Sequence, residues 1–496
     1  MGTGSDVGKS IIVTALCRYF AKQGIHVAPF KAQNMSNNSG VTPEGLEMGR
    51  AQIVQAEAAN IPPHVDMNPI LLKPTSEIGS QVVLLGRVNE NMSAKDYHRL
   101  KDRFFHSAVG ALNRLRQQYD LIVLEGAGSC AEVNLMDNDI VNLRMAEAAG
   151  APVILVADIH RGGVFAQIVG TLECLTPRQA DLVKGFIINR FRGDMHLFEN
   201  GVHWIEAKTG KKVFGVLPWY HHINIEPEDS VVIEKPRRAF PVDKDAASVA
   251  VIRLPHISNF NDFNPLETLK GLQVYFLEKV QALSGFRAVI LPGTKSTRYD
   301  LSWLHDSGWS QRIKAYVQAG GHVLGICGGY QMMGSRVHDP EGLEGSPGST
   351  QGLDLLPVET VLQAPKTTTL TEFSWQGVHG RGYEIHMGQT DVKNGSALFA
   401  VLTRNGKPTR DRDGCLTADR RLMGTYIHGI FDNPKIIDRW LANMGISGVE
   451  VSDLEGPDRK DKEYDLLVAH FAAHMDMAGI METIDLKPTG RQGKAT

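Results

Sequence analysis

A cysteine set among glycines follows a short apolar run in residues 321–331, which read Gly321-His322-Val323-Leu324-Gly325-Ile326-Cys327-Gly328-Gly329-Tyr330-Gln331. An apolar strand that ends at a small-residue turn before a helix can hold its nucleophile exposed, beside the backbone N–H groups of the turn. Most cysteines are simply packed in a core. Glycines on both sides favour the other interpretation, because they let backbone approach the thiol closely. The stretch predicts a strand–turn–helix unit with Cys327 as its nucleophile.

A thiol nucleophile needs a base, and His428 is the best placed of the 18 histidines. It follows an apolar stretch of strand type and precedes a glycine, which puts the imidazole at a strand end. Gly293 follows another apolar strand, at residues 288–291, and can bring a backbone N–H towards the same pocket. We therefore predict that Gly293 and Gly328 supply an oxyanion hole. A simple turn at Gly293 is the alternative.

The chain opens with a glycine-rich loop and then an amphipathic helical pattern to about residue 23; the loop reads Gly2-Thr3-Gly4-Ser5-Asp6-Val7-Gly8-Lys9-Ser10. Such a loop folds around phosphate, its N–H groups and lysine bind the oxygens, and its serine can ligate Mg²⁺. Five residues separate Gly2 from Gly8 instead of the usual four, a spacing similar to that of dethiobiotin synthetase-like ATPases. The predicted ATP-binding residues are Gly4, Gly8, Lys9 and Ser10.

A P-loop normally follows a central parallel strand, and here only Met1 precedes Gly2. We therefore expect this strand to be missing, through a start codon placed too late or a truncated chain. Its loss would lower both the stability of the sheet and the affinity for nucleotide.

Four apolar runs of strand type follow the loop, at residues 121–124, 152–158, 184–190 and 213–219. Helix-length segments separate most of them, which predicts a doubly wound parallel sheet. The first run delivers Glu125 at its carboxyl end, where a carboxylate can hold Mg²⁺ together with Ser10. Asp6 is a further candidate ligand. Asn189 ends the third run and could read the adenine edge; a turn-forming asparagine is the equal alternative.

The loop from Phe30 to Ser39 concentrates amides and hydroxyls, which suits a polar ligand. The chain resembles the cobyric acid synthase family from the P-loop to about residue 445. The motifs that carry this resemblance are Lys31 to Ser39, Gly49-Arg50-Ala51-Gln52, Met67-Asn68-Pro69-Ile70-Leu71-Leu72-Lys73-Pro74, Glu125-Gly126-Ala127-Gly128-Ser129 and Asp158-Ile159-His160-Arg161-Gly162-Gly163-Val164-Phe165.

The resemblance implies amidation of the b, d, e and g carboxylates of a corrinoid, adenosylcobyrinic acid a,c-diamide, to give cobyric acid in cobalamin biosynthesis. ATP and glutamine would be consumed. It implies two doubly wound α/β domains, a dethiobiotin synthetase-like P-loop domain and a class I glutamine amidotransferase-like domain. Cys327 would attack glutamine, His428 would shuttle protons, and the released ammonia would displace phosphate from an acyl phosphate. Lys31 would steady that acyl phosphate, with Gln33 and Asn34 beside the substrate.

Two alternatives stay open: a cobyrinic acid a,c-diamide synthase, or a nucleotide-switched P-loop binding ATPase with an inactive second domain. One position departs from the usual pattern. Class I glutaminases carry a carboxylate two residues after the histidine, and this position is Ile430. Another residue, a backbone carbonyl or an unassisted Cys–His dyad could take its place, and Glu384 is not assigned.

The composition fits an ordinary globular chain of 496 residues with a formal net charge of −3, so we expect neither nucleic acid nor membrane as a partner. Five scattered cysteines argue against a disulfide framework and a zinc site, and the cytoplasm is the expected location. A proline- and charge-rich segment predicts a linker. The expected divisions are a P-loop domain at 1–222, a linker at 223–246, an amidotransferase domain at 247–445, and a helix with a disordered tail at 446–496.

Overall fold

The computed structural model describes residues 1–76, 79–93, 97, 99–220, 223–226, 247–452, 454 and 456–484. Most of the predicted linker and the predicted disordered tail lie outside these residues. The described residues form two α/β domains, as the sequence predicts. None of their helices is long and apolar enough to cross a bilayer.

The N-terminal domain alternates helices with parallel strands. Its helices are α1 Lys9–Lys22, α2 Arg50–Ala58, α3 Lys101–Arg116, α4 Leu143–Ala149, α5 Val164–Glu173, α6 Pro177–Leu182 and α7 Glu199–Thr209. Its strands are β1 Val27–Phe30, β2 Gln33–Met35, β3 Ser39–Val41, β4 Glu47–Gly49, β5 Ile70–Ser76, β6 Gly79–Leu84, β7 Arg87–Ser93, β8 Leu121–Leu124, β9 Val153–Asp158, β10 Val183–Phe191 and β11 Lys212–Pro218. Phe186 and Ile187 of β10 pack into different core clusters, since successive side chains of a strand point to opposite faces.

The parallel strands of this domain are divided into two groups among the described residues. Strand β1 pairs with β8, and the other group has the order β11-β10-β9. The chain start pairs with β9: Met1 N donates to Ile154 O at 2.9 Å, and Thr3 N donates to Val156 O at 3.0 Å. A cavity of about 360 Å³ lies beside β8 and β9, lined largely by apolar side chains. The first residues thus form a short parallel bridge with β9, and none of the described residues forms a strand between β8 and β9.

Two additions, a mixed sheet and an antiparallel hairpin, were not predicted from the sequence. One is a sheet in the order β2-β5-β6-β7, and the other is the hairpin β3-β4. Both extend the amide-rich loop. Strand β2 and the start of β3 lie within that loop, and β4 leads directly into α2.

The C-terminal domain has a longer sheet and more antiparallel structure. Its helices are α8 Asn264–Glu267, α9 Thr297–Asp306, α10 Trp309–Gln318, α11 Gly328–Met333 and α12 Pro434–Asn443, and two later helices are α13 Gly456–Ala473 and α14 Met477–Thr483. Its strands are β12 Ala247–Ile252, β13 Leu272–Leu277, β14 Ala288–Leu291, β15 His322–Ile326, β16 Arg336–Asp339, β17 Gly348–Gln351, β18 Val358–Val361, β19 Thr367–Trp375, β20 Val378–His386, β21 Gln389–Val392, β22 Phe399–Arg404, β23 Lys407–Pro408, β24 Arg412–Asp413, β25 Cys415–Leu416, β26 Leu422–Thr425 and β27 Ile427–His428.

The main sheet of this domain is continuous, in the order β13-β12-β14-β15-β26-β25. All its pairs are parallel except the last, β25 with β26. Alternate residues of β12 enter two apolar cores, Ala250 on one side and Val251 on the other, each covered by helices. The carboxyl ends of β12, β14 and β15 therefore meet at one edge, where ligands bind in doubly wound sheets.

The last two helices return to the N-terminal domain. Arg18 of α1 pairs with Asp461 and Asp465 of α13, each at 2.8 Å. Gly215 of β11 forms an antiparallel bridge with Met475, between the two helices. The polypeptide thus crosses from the first domain to the second and back.

Candidate active site

The turn between β15 and α11 holds Cys327 in a sharply bent conformation. Its backbone has φ 52° and ψ −109°, a region that costs energy for a residue with a side chain. Its N–H donates to Thr425 O at 2.8 Å, which ties the turn to the neighbouring strand β26. A side chain at Gly329 would place its Cβ 2.0 Å from Leu291 O, so the turn lies directly against β14. The predicted strand–turn–helix unit is present, with the thiol at its apex.

His428 lies against this turn at the end of β27. The Cys327 side chain lies close enough to this imidazole to affect its pKa, and the thiol donates to Ile385 O at 3.6 Å. On the other side its Nδ1 lies 2.7 Å from Oδ2 of Asp262. The second oxygen of Asp262 accepts the N–H of Gly429 at 3.0 Å, so the carboxylate is held in two directions. All three side chains of this Cys–His–Asp group are nearly inaccessible to solvent.

The carboxylate determines the charge of the imidazole. Burial alone would lower the pKa of His428, because desolvation disfavours the imidazolium form. Asp262 and then Cys327 outweigh burial and raise this pKa to about 10. The contact with Asp262 therefore favours the imidazolium form of His428 at neutral pH.

Asp262 is the residue that sequence reasoning missed. It lies 166 residues before His428, in a 3-10 turn at Phe260–Phe263. The sequence contained one indirect signal: this polar segment follows β12, so its carboxylate lies at the same sheet edge as Cys327. Ile430 is buried as a core residue. Glu384 is engaged elsewhere, since it accepts from Arg404 Nε at 3.0 Å.

Gly293 and Gly328 both lie within this pocket. A Cβ at Gly293 would come within 2.9 Å of His428 Cε1, and one at Gly328 within 3.1 Å of Thr294 N. The loop that begins at Gly293 therefore packs against the cysteine turn. This proximity supports the predicted oxyanion hole, which stays a prediction.

The second group of predicted residues surrounds the P-loop. Ser10 Oγ donates to Glu125 Oε1 at 2.9 Å, across 115 positions of sequence. Lys9 Nζ donates to Gly4 O and Gly128 O, both at 2.9 Å, so the lysine spans the loop. Gly8 has φ 96°, and a Cβ there would lie 2.1 Å from Asn189 Nδ2. Only glycine fits this position without displacing the asparagine.

The amide-rich loop reaches the same carboxylate. Lys31 Nζ donates to Glu125 Oε1 at 3.0 Å, and Gln55 of α2 donates to Oε2 at 2.5 Å. Asn34 Nδ2 donates to Gln52 Oε1 at 3.0 Å. Gln33 Oε1 accepts the hydroxyl of Tyr97. Sequence reasoning missed Gln55, although it lies in a helix that buries eight of its nine residues despite carrying arginine and glutamines.

Two predicted ligands have other contacts. Asp6 pairs with Arg190 at 3.1 Å and with Arg161 at 3.5 Å, and its role as a metal ligand stays a prediction. Asn189 is fully buried and donates to Val7 O at 2.9 Å. Its amide therefore fastens the P-loop to β10. Recognition of adenine by Asn189 stays a prediction.

These residues fit a magnesium nucleotide. Ser10 and Glu125 present the hard oxygen atoms that Mg²⁺ prefers. Within the described part of the chain, Gln52 Nε2 and Gln55 Oε1 are buried polar atoms without a hydrogen-bond partner, as expected of a site for a polar ligand. The described residues contain no group of three or more His, Cys, Asp or Glu placed to bind a metal. A metal bound with a triphosphate needs only one or two protein ligands.

A buried ionic cluster joins the two domains. Glu47 of β4 accepts from Lys73 at 2.8 Å and from Lys366 of the C-terminal domain at 2.6 Å. Burial, reinforced by Lys73 and Lys295, lowers the pKa of Lys366 to about 7, although Glu47 acts in the opposite direction. Burial and then Lys73 lower the pKa of Lys295, while Glu344, Glu47 and Cys327 oppose them. Lys295 therefore lies within electrostatic range of both domains.

The fold and both sites define a class: a nucleotide-binding domain joined to a glutamine amidotransferase domain. Residues 1–231 match the model of the CobQ/CobB/MinD/ParA nucleotide binding domain. Residues 248–436 match that of the CobB/CobQ-like glutamine amidotransferase domain.

The chain belongs to the cobyric acid synthase family. It is 49% identical to cobyric acid synthase of Chlorobium phaeobacteroides (strain DSM 266), over 97% of this chain and 96% of that relative. It is 48% identical to that of Chlorobaculum tepidum, over 99% and 98%. It is 45% identical to that of Salmonella typhimurium, over 96% of each chain.

Proposed function

We propose that the protein is a glutamine-hydrolysing cobyric acid synthase of cobalamin biosynthesis. It uses ATP and glutamine to amidate the b, d, e and g carboxylates of adenosylcobyrinic acid a,c-diamide. The observation that supports the proposal is that one family member brings together two groups of side chains: the Cys–His–Asp group, and the P-loop with Glu125 and Lys31. The use of ATP and of a free thiol fits the cytoplasm, where we place the reaction.

In the glutaminase half, Cys327 attacks the amide carbon of glutamine and His428 gives a proton to the leaving ammonia. Asp262 holds the imidazole in the orientation that this transfer requires. The backbone N–H groups of the Gly293 loop and of Gly328 stabilise the negative oxygen of the tetrahedral intermediate. Water then hydrolyses the thioester, with His428 as base, and releases glutamate.

In the synthetase half, a carboxylate needs activation because oxide is too poor a leaving group for ammonia to displace. The P-loop backbone and Lys9 hold the phosphates of ATP, Ser10 and Glu125 would hold Mg²⁺, and Lys31 lies beside them to steady the substrate carboxylate. When bound, Mg²⁺ supplies positive charge to the triphosphate. The carboxylate takes the terminal phosphoryl group, and ammonia displaces phosphate from the resulting acyl phosphate.

Mass spectrometry of the products tests this proposal. Purified protein is incubated with ATP, glutamine and, in separate reactions, adenosylcobyrinic acid a,c-diamide or cobyrinic acid. We expect four successive decreases of about one mass unit, each from replacement of OH by NH₂. Amidation of cobyrinic acid only as far as the a,c-diamide would identify the diamide synthase instead. Absence of both glutamate release and amidation would favour the binding ATPase.

For this function we propose a P-loop synthetase domain at residues 1–222 and an amidotransferase domain at 247–445. The segment 223–246 would link them. Glu226 in this segment pairs with Arg50 of the first domain at 2.6 Å, which supports a linker anchored near its start. Limited proteolysis of the full-length protein, followed by mass spectrometry of the fragments, tests these bounds, and we expect the first cleavage to fall within residues 223–246.

A further inference from the structure

One short segment of the C-terminal domain contacts both the predicted oxyanion loop and the catalytic histidine. Ser258 N donates to Gly293 O at 2.9 Å, and Ile257 bridges Thr294, so the segment lies along the predicted oxyanion loop. Four residues further on, Asp262 lies 2.7 Å from the imidazole of His428. The position of this segment, residues 257–263, therefore sets the position of the carboxylate.

The same segment is held from outside its own domain. Asn259 Oδ1 accepts the N–H of Ser39, the first residue of β3, at 3.1 Å. Asn261 Nδ2 donates to Glu226 at 3.3 Å, and Glu226 in turn accepts two hydrogen bonds from Arg50 at 2.6 and 3.0 Å. Both chains of contacts thus end in the hairpin β3-β4 or the helix that follows it.

The backbone conformation of the segment links the Asn259 side chain to Asp262. Asn259 has φ 51° and is 3% exposed, so it adopts a left-handed conformation inside the protein. Its own carbonyl accepts the N–H of Asp262 at 3.0 Å, which closes the 3-10 turn that carries the carboxylate. A displacement of the Asn259 side chain is therefore passed to Asp262 through a single turn of backbone.

The hairpin is continuous with the amide-rich loop. Arg50 N donates to Asn38 O at 3.2 Å, and Ser39 pairs with Gly49. The hairpin therefore begins where the loop that supplies Lys31 and Asn34 ends.

We propose that Asn259 and Asn261 are positioning residues through which the P-loop domain holds Asp262 against His428. Neither asparagine touches glutamine in this proposal; both act through the carboxylate. Glutamine hydrolysis then depends on contact between the two domains. The inference rests on the proposed glutaminase activity of Cys327 and His428.

Two variants and a matched control test the proposal. Asn259→Gly removes the side chain and keeps the left-handed backbone accessible. Asn261→Ala cuts the second contact. Asn405→Gly is the control, because Asn405 also has a positive φ, 48°, and also accepts a backbone N–H, that of Leu370 at 2.8 Å. It lies against Gly45 of the same hairpin but outside the segment 257–263, so it tests whether the loss of any contact with the hairpin has the same effect. Melting temperatures establish that each variant is folded, and Asn261→Ala decides the matter if Asn259→Gly is not.

For Asn259→Gly we expect the kcat of glutamate release to fall about 10- to 100-fold, with KM for glutamine changed by less than about threefold. Asn261→Ala should lose about three- to tenfold, and Asn405→Gly less than about twofold. Amidation with ammonium chloride should stay within about twofold in all three, because the synthetase site is intact.

Unchanged kcat for glutamate release in folded Asn259→Gly and Asn261→Ala would overturn the proposal. So would an equal loss in Asn405→Gly, since the effect would then be a general one of the domain. The proposed function fails in a different way. If wild-type protein releases glutamate but amidates no corrinoid with either nitrogen source, the reaction assigned above is wrong, while the glutamate assay still decides the role of the asparagines.

Discussion

The glutaminase site and the nucleotide site differ in the sheets beneath them. The first lies at the carboxyl edge of a continuous sheet, where β14, β15 and β26 are neighbours. The second lies on strands separated into two groups, with a cavity beside β8 and β9. A continuous sheet can place distant residues in register by backbone hydrogen bonds alone. The interrupted one depends more on side chains, with Lys9 and Asn189 fastening the loop.

The largest expected effect comes from replacing the nucleophile of the glutaminase site, which lies on the continuous sheet. Cys327→Ser should lower glutamine-dependent amidation roughly ten-thousandfold, because a hydroxyl is a much weaker nucleophile beside the same base. Amidation with ammonium salts should continue. Product formation with each nitrogen source measures both effects, and Cys174→Ser at an exposed cysteine is the control. Loss of activity with ammonium as well would show that the two sites do not work separately.

The second prediction concerns the nucleotide site, which lies on the interrupted sheet. Lys9→Ala should lower amidation about a thousandfold with either glutamine or ammonium, since the charge that holds the phosphates is gone. Glutamate release should change little. Lys22→Ala is the matched control, because Lys22 lies in the last turn of the same helix and pairs with Asp465. Full amidation by the Lys9 variant would refute the P-loop assignment.

The third prediction concerns the charge of the His428 imidazole in the glutaminase site. Asp262→Asn should lower glutamate release about a hundredfold or more, as expected when the partner of a catalytic histidine loses its charge. The raised pKa of His428, about 10, should fall, so the alkaline limb of the pH–rate profile should move to lower pH. Asp432→Asn, in the 3-10 turn just after the histidine, is the control. An alkaline limb that does not move would show that Asp262 does not set the charge of the imidazole.

The free energy of unfolding should depend on the same imidazolium charge of His428. A raised folded-state pKa means that the imidazolium stabilises the fold fully below about 6.5, and that this contribution is lost as pH rises through about 10. Asp262→Asn should therefore cost most in unfolding free energy near pH 6 and least above pH 10. Denaturant melts at these two pH values measure the difference. Equal costs at both would contradict the assignment of the charge.

The comparison also explains what the sequence could predict. The cysteine turn was predictable because its strand, glycines and helix are consecutive, and Ser10 with Glu125 was predictable because each lies at a recognisable strand or loop end. Asp262 was not, because its approach to His428 depends on which strands are adjacent in the sheet. Most strands from β16 to β24 were also missed, because their sequences mix polar and apolar residues and lack the continuous apolar runs that mark buried parallel strands.

The smallest expected effect concerns the cavity beside β8 and β9. An extension of four or five apolar residues ahead of Met1 should enter the space between β8 and β9 and pair with both strands. The extension would also convert the buried Met1 amine, whose pKa burial lowers to about 6, into a neutral amide. We expect a net gain of roughly 1–2 kcal/mol, after the ordering cost, and a rise in melting temperature of about 2–6 °C. A Gly/Ser extension of equal length is the control, measured by calorimetry. Equal melting temperatures for the two extensions would show that the cavity does not accept a strand.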